Sequence, residues 1–160
     1  MTEVRHVNMM NLAPSPWVER FIALARPGEA LDLACGSGRH TRLLAARGHA
    51  VLALDRKRES LASAAGAGVT TMEYDLEAEG AAWPFDAGRF SVIVVTNYLH
   101  RPLFPYLARS LRPDGILIYE TFAQGNQIYG KPSNPDFLLA PGELLGLAQE
   151  GGLQVLAYED

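Results

Sequence analysis

Three aspartates stand where a chain could bind the sugar and the base of a nucleotide. Asp32 lies in an apolar run that leads into the turn Gly36-Ser37-Gly38, Asp55 ends the next apolar run, and Asp75 ends a third. A glycine turn that opens a helix exposes backbone N–H groups to a ligand. A carboxylate at the end of the following strand can accept both hydroxyls of a ribose. The spacing therefore predicts one acidic, ribose-binding edge, on which Asp75 takes an exocyclic amine.

Asp32 distinguishes between two kinds of nucleotide ligand. A dinucleotide site has a third small residue three positions after the second glycine, and this chain has Thr41 there. A carboxylate just before the glycines would repel a pyrophosphate and attract a cationic α-amino group, and inside an apolar strand it needs such a partner. The predicted ligand is therefore an amino acid joined to adenosine, S-adenosylmethionine. The alternative, a nicotinamide-dependent (NAD) oxidoreductase, is disfavoured by both Asp32 and Thr41.

The elements that must position these residues alternate between short apolar runs and amphipathic segments. We predict strands at residues 30–34, 50–54, 69–74, 90–96, 116–122 and 153–158, and helices at 15–26, 39–47, 57–65, 103–111 and 142–150. This alternation is typical of an α/β fold with a doubly wound, mostly parallel sheet and helices on both faces. Such sheets bind ligands beyond the carboxyl ends of their strands, where the strand order reverses.

Composition and charge exclude several classes of protein. The 160 residues suffice for one domain, and the formal net charge of -4 argues against a nucleic-acid partner. The single cysteine, Cys35, excludes an intramolecular disulfide, and we expect it to be buried and inert. His6, His40 and His49 share no spacing with acids that would predict a metal site. No apolar run is long enough for a membrane span or a secretory signal, so we expect a cytoplasmic protein.

Four segments of the chain resemble the class I S-adenosylmethionine-dependent methyltransferases, and among them the small bacterial enzymes of tellurite-resistance and thiopurine type. The segments are LDLACGSGRH, VLALDRKRESL, FSVIVVTNYLH and LRPDGILIYETF. The resemblance runs from about residue 30 to residue 158. It implies a Rossmann-like methyltransferase fold with S-adenosyl-L-methionine as methyl donor and S-adenosyl-L-homocysteine as product. It also implies in-line methyl transfer to an acceptor, which we expect to be a small molecule.

The resemblance implies which residues would surround the methionine part of the donor. These are Asp32, Ala34, Gly36 and Gly38, with Asn97 contacting the amino group through its backbone carbonyl. Ala34 replaces the first glycine of the family signature, and we expect this change to leave binding intact.

The resemblance likewise assigns the nucleoside part of the donor. Asp55 would bind the ribose, and Arg56, with Lys57 as a second candidate, would lie beside the adenine. Asp75 and Leu76 would frame the edge and the face of the adenine ring.

The segment after the fourth predicted strand is the place for a catalytic group. His100 is our candidate for a general base or for a group that positions the acceptor. The alternative is that His100 caps the helix that opens at Pro102. The stretch 123–140, which is rich in Gly, Pro and Asn, is predicted to recognise the acceptor, because long loops in compact domains are often functional.

The predicted organisation departs from the family at its carboxyl end. Residues 1–160 form one domain with an N-terminal helical segment at 1–28, and the family's final antiparallel strand is absent. Either the chain is cut, or the strand predicted at 153–158 pairs differently, for instance across a homodimer. A donor-binding module without catalysis, or a partner subunit, is the alternative to an enzyme.

Overall fold

The computed structural model describes residues 13–160, so residues 1–12 of the predicted N-terminal segment, His6 among them, lie outside the described part. Its strands are β1 (Glu29–Leu33), β2 (Ala50–Asp55), β3 (Val69–Glu73), β4 (Phe90–Thr96) and β5 (Leu111–Glu120). Its helices are α1 (Pro16–Phe21), α2 (Arg39–Ala46), α3 (Arg58–Ala64), α4 (Phe104–Ser110) and α5 (Glu143–Glu150).

The five strands form one parallel sheet in the order β3-β2-β1-β4-β5. The chain builds outward from β1 to β3, crosses back, and continues with β4 and β5 on the other side of β1. The strand order therefore reverses between β1 and β4, and the adjoining carboxyl ends of these two strands are where a ligand site is expected. This arrangement confirms the predicted doubly wound α/β fold.

Burial on both faces of the sheet explains why β4 is a continuous apolar run. Ile93 and Val95 pack into the core cluster on the α4 and α5 face, which includes Leu107. Val92 and Val94 pack on the opposite face with residues of α1 and α2. Side chains alternate between the faces of a strand, so a strand covered by helices on both sides needs apolar residues at every position.

The prediction of a strand at residues 153–158 is wrong. This segment is irregular in the structure, with Val155 and Leu156 46% and 63% exposed. The Tyr158 hydroxyl accepts a hydrogen bond from the Gly142 N–H at 3.0 Å, so the segment lies against the start of α5 instead of pairing with β5. Local alternation of apolar residues marks a segment able to form a strand, but pairing decides whether it does.

The other boundary differences are smaller. β5 begins at Leu111, five residues before the strand predicted at 116–122, and its pairing with β4 shifts register between Phe90 and Val92. The helical conformation predicted for 15–26 divides into α1 and a 3-10 turn at Ile22–Leu24.

A buried polar network anchors α1 to the sheet. The Ser15 hydroxyl caps α1 by accepting from the N–H groups of its first turn, and it donates to the carboxylate of Glu120. The Ser15 N–H donates to Nε2 of His40 at 2.9 Å, and Nδ1 of His40 lies 3.3 Å from the Thr96 hydroxyl. Burial, with a smaller effect of Arg39, lowers the pKa of His40 to about 4. His40 is therefore neutral near pH 7, with Nε2 free to accept.

Gly38 allows α3 to pack directly on the turn after β1. Gly38 has φ +90°, and a Cβ there would lie 2.6 Å from Cβ of Ala64. We expect Gly38→Ala to lower the free energy of unfolding by about 2–4 kcal/mol, because it combines overpacking with a strained backbone. Urea unfolding measures this difference. Gly66→Ala is the matched control, since Gly66 has no neighbouring atom within 4 Å and no positive φ. Equal urea midpoints for the two variants would contradict the packing role.

Candidate functional site

A cavity of about 550 Å³ opens at the carboxyl ends of the strands and spans the point where the strand order reverses. It brings together most of the predicted site residues: Ala34, Gly36, Asp55, Arg56, Asp75, Leu76 and Asn97. Asp32, Gly38 and His100 do not line it. The sheet therefore gathers residues from separate strand ends into one cavity, as the strand-end pattern predicted.

The backbone around the cavity adopts the left-handed region at two residues that are not glycine. Ala34, at the end of β1, has φ 54° and Asn97, at the end of β4, has φ 53°. Such conformations are unfavourable for side chains with a Cβ, and they concentrate at functional sites. Gly36 has φ 55° and no atom within 4 Å of where its Cβ would be, so the loop after β1 leaves room for a ligand.

Asp55 holds the loops after β1 and β2 together. Its Oδ2 accepts from the Gly36 N–H at 2.9 Å, and its Oδ1 accepts from the Lys57 N–H at 2.8 Å. A carboxylate oxygen has two lone pairs, so each oxygen keeps an acceptor position for a ligand. The side chain is thus fixed in orientation and able to accept two further hydrogen bonds.

Asp75 and its neighbours form the cavity wall beyond β3. Oδ1 of Asp75 accepts from the Glu77 N–H at 2.9 Å, which orients the carboxylate, and Leu76 is buried in the core. The Glu77 carboxylate accepts from the Tyr98 hydroxyl at 3.3 Å. This contact connects the wall after β3 with the segment after β4.

His100 faces a second cavity, of about 460 Å³, between residues 76–83 and α4. Its Nδ1 lies 3.7 Å from a carboxylate oxygen of Glu77, which lines both cavities. The side chain makes no capping hydrogen bond to the helical turn at Arg101–Leu103, so the alternative role as a cap is not observed. Its catalytic role stays a prediction.

Asp32 lies beneath the site and is 1% exposed. The Thr41 hydroxyl donates to Oδ2 of Asp32 at 2.7 Å. Burial raises the pKa of Asp32 to about 7, against the opposing effect of the Thr41 hydrogen bonds and of Arg39. The sequence analysis missed Thr41 as this partner, although a hydroxyl in the first turn of the helix that follows a buried acid was a usable signal. Cys35 is buried as predicted, and desolvation raises its pKa to about 12, which disfavours the thiolate.

The loop 123–140 forms one side of the first cavity, of about 550 Å³, through Pro132 and Phe137; we call this the main cavity. Arg101, which sequence reasoning also missed, holds this loop. Its guanidinium donates to the carbonyls of Asp136 and Leu138, each at 2.9 Å, and to both carboxylate oxygens of Glu143. That this loop recognises the acceptor stays a prediction.

Two kinds of feature were not found in residues 13–160. None of the helices there has the length and apolar character needed to cross a membrane. No three His, Cys, Asp or Glu side chains in that part of the chain lie close enough to hold a metal ion.

The comparisons with known proteins agree with this geometry. A family model described as a methyltransferase domain matches residues 30–115. A TehB-like SAM-dependent methyltransferase from Corynebacterium glutamicum is 21% identical, with a TM-score of 0.65 over 94% of this chain and 80% of that one. A geranyl diphosphate C-methyltransferase from Streptomyces coelicolor, solved with S-adenosyl-L-homocysteine, is 18% identical, with a TM-score of 0.64 over 84% of this chain and 59% of that one.

Other matches show differences in length. An S-adenosylmethionine-dependent methyltransferase from Mesorhizobium loti is 23% identical, with a TM-score of 0.58 over 68% of this chain. The chain spans about half the length of two of the solved structures that it matches, 52% and 55%. No curated protein matches the sequence significantly. At these identities the solved structures establish the fold, and the family model establishes the family.

The raised pKa of Asp32 predicts that the free energy of unfolding falls as the pH rises. The stability associated with protonated Asp32 is complete below its ordinary pKa of 3.8 and is lost as the pH rises through about 7. We expect Asp32→Asn, which keeps the shape without the charge, to gain stability relative to the wild type across this window. At pH 8 it should be the more stable protein by a few kcal/mol.

Urea unfolding at pH 5 and pH 8 measures this difference. Asp114→Asn is the control, because Asp114 is an exposed acid that does not line the cavity. An advantage of Asp32→Asn that shrinks between pH 5 and pH 8 would contradict the prediction.

Proposed function

The chain belongs to the class I S-adenosylmethionine-dependent methyltransferase family, and from that premise we propose that it transfers the methyl group of S-adenosylmethionine to a small-molecule acceptor. The observation that carries the proposal is the Asp55 carboxylate, which the Gly36 and Lys57 N–H groups hold in the cavity with acceptor capacity to spare. A vicinal diol such as that of ribose would use this capacity.

The adenine would lie between the ends of β2 and β3. Oδ2 of Asp75 is available to accept from an exocyclic amine, while Oδ1 is engaged by the Glu77 N–H. Leu76 offers an apolar surface to one face of the ring, and Arg56 lines the cavity beside it. These proposed contacts support adenosine as the nucleoside part of the ligand.

The methionine part would lie over the loop after β1, towards β4. Ala34, Gly36 and the backbone carbonyl of Asn97 are the proposed contacts, and the open space at Gly36 supports this position. Asp32 would act from below the loop, because a cationic amino group nearby would stabilise a carboxylate that burial disfavours. Gly38 would contribute through the packing of α3 that shapes the loop.

In the transfer itself, a lone pair of the acceptor attacks the methyl carbon in line with its bond to sulfur. The carbon–sulfur electron pair stays on sulfur, and S-adenosylhomocysteine is the product. The methyl group is already activated by the sulfonium, so the protein has to align the two molecules and exclude water. A base is required only if the acceptor atom must first lose a proton.

The proposal predicts selective stabilisation by the donor's product. At a hundred times its dissociation constant, S-adenosylhomocysteine should raise the free energy of unfolding by about 2.7 kcal/mol. We expect no shift in the melting temperature with NAD at the same concentration, measured by thermal denaturation. A larger shift with NAD would favour the oxidoreductase alternative and overturn the proposal.

Donor affinity should depend on Asp55 far more than on His100. We expect Asp55→Ala to weaken S-adenosylhomocysteine binding at least about tenfold, since hydrogen bonds to a charged acceptor contribute roughly 1.5–3 kcal/mol. His100→Ala, whose side chain lies in the other cavity, should bind within about twofold of the wild type. Isothermal titration calorimetry measures both affinities, and circular dichroism checks that each variant is folded. Equal losses would refute the assignment of Asp55.

A further inference from the structure

Charged side chains occupy only one half of the main cavity. The charged residues that line it all lie at the end of β2 or after β2 and β3: Asp55, Arg56, Lys57, Asp75 and Glu77. The half formed by the ends of β4 and β5 and by the loop 123–140 has no charged lining residue in the described chain, and four of its residues are apolar: Leu99, Phe122, Pro132 and Phe137.

From this segregation we infer that the methyl acceptor is an uncharged molecule with an apolar body, bound against Leu99, Phe122, Pro132 and Phe137. The inference rests on the proposed function and specifies its acceptor. A charged acceptor placed in this half would lose its hydration and find no oppositely charged partner. An apolar acceptor gains free energy from the same burial.

The strand order leaves this half free for the acceptor. Adjacent strands lie about 4.8 Å apart, so the end of β5 is about 14 Å from the end of β2, where the ribose is proposed. The donor's methionine part reaches from β2 over β1 towards β4. Its reactive end would therefore meet whatever lies at the ends of β4 and β5.

Among residues 13–160, those that line the half formed by the ends of β4 and β5 and the loop 123–140 include no carboxylate, histidine or lysine that would take up a proton from the acceptor. Burial raises the pKa values of Tyr98 and Tyr119 well above the ordinary value, so both keep their protons. Their hydroxyls donate to the Glu77 carboxylate and to the Tyr98 carbonyl. The acceptor atom must therefore attack with a lone pair that it already has. The new bond forms to the methyl carbon, the electron pair of the broken bond stays on sulfur, and any proton on the acceptor atom leaves to water after transfer.

The wall of this half is held in place by the protein's own contacts. Arg101 fixes the backbone on either side of Phe137 through the carbonyls of Asp136 and Leu138. The Asn126 side chain donates to the Pro132 carbonyl at 2.9 Å. The apolar surface therefore exists before an acceptor binds.

The test compares two fluorescent probes with the same ring and amine, 1-naphthylamine and 5-aminonaphthalene-1-sulfonate, on protein saturated with S-adenosylhomocysteine. The first is neutral at pH 7.5 and the second is an anion. We expect the neutral probe to bind at least tenfold more tightly in a fluorescence titration. Equal or tighter binding of the sulfonate, or no binding of the neutral probe, overturns the inference.

A pair of variants locates the binding. Phe137→Asp, at a residue 49% exposed and therefore tolerant of change, should weaken the neutral probe at least fivefold with little effect on S-adenosylhomocysteine. Tyr129→Asp adds the same charge to the same loop at a residue that is 85% exposed and does not line the cavity, and it should change neither affinity. Equal effects of the two substitutions overturn the inference.

Calorimetry with S-adenosylhomocysteine alone separates this inference from the proposed function. If that compound does not bind, the proposed function fails. If it binds and the neutral probe shows no preference, only the acceptor class proposed here fails.

Discussion

The site depends on one carboxylate that accepts hydrogen bonds from the backbone of two different loops. Asp55 binds the Gly36 N–H after β1 and the Lys57 N–H after β2, and hydrogen bonds to an ionised acceptor are stronger than those between neutral groups. The loop after β1 needs such support, because Ala34, which has a Cβ, adopts the left-handed region, and strain of this kind persists only when the surroundings enforce it. The close approach of Ala64 at Gly38 adds a second restraint. These contacts hold the loop after β1 rigidly and leave open space beside Gly36 on its cavity side.

The order of the strands then determines which residues line each half of the cavity. Strand order reverses between β1 and β4, so residues after β2 and β3 form one half of the cavity and residues after β4 and β5 form the other. The first half is charged and suits a polar nucleoside. The second is uncharged and suits an apolar molecule. In the proposed reaction the methyl group of the donor is already activated, so two halves of unlike polarity would serve mainly to hold donor and acceptor in line.

Much of this could be predicted from the sequence where local pattern and burial coincide. The bounds of β4 were predicted correctly because Val92 to Val95 are buried on both faces, and Asp55 ends β2 as predicted because an apolar run defines where that strand ends. Asp75 lies two residues beyond the end of β3. The strand at 153–158 was predicted wrongly because pairing is a property of the whole sheet and not of the segment. The direction of His100 was not predictable either, since the chain before it turns through the left-handed backbone of Asn97. Arg101 was missed because its partners come from a loop without regular pattern, whereas Thr41 could have been found from its place in the first turn of the helix after the buried Asp32.

Two buried ionisable groups, Asp32 and His40, give the fold opposite responses to pH. Stability from Asp32 is lost as the pH rises from 3.8 through about 7, whereas stability from His40, whose pKa is lowered from 6.5 to about 4, is lost as the pH falls through the same interval. The two contributions therefore oppose each other between these values, and near pH 7 neutral His40 still accepts from Ser15 while burial favours the protonated form of Asp32. A cation that binds near Asp32 would favour the carboxylate and so lower this raised pKa. The buried acid, which disfavours the empty fold at neutral pH, would in this way favour a ligand that brings a positive charge to the loop after β1.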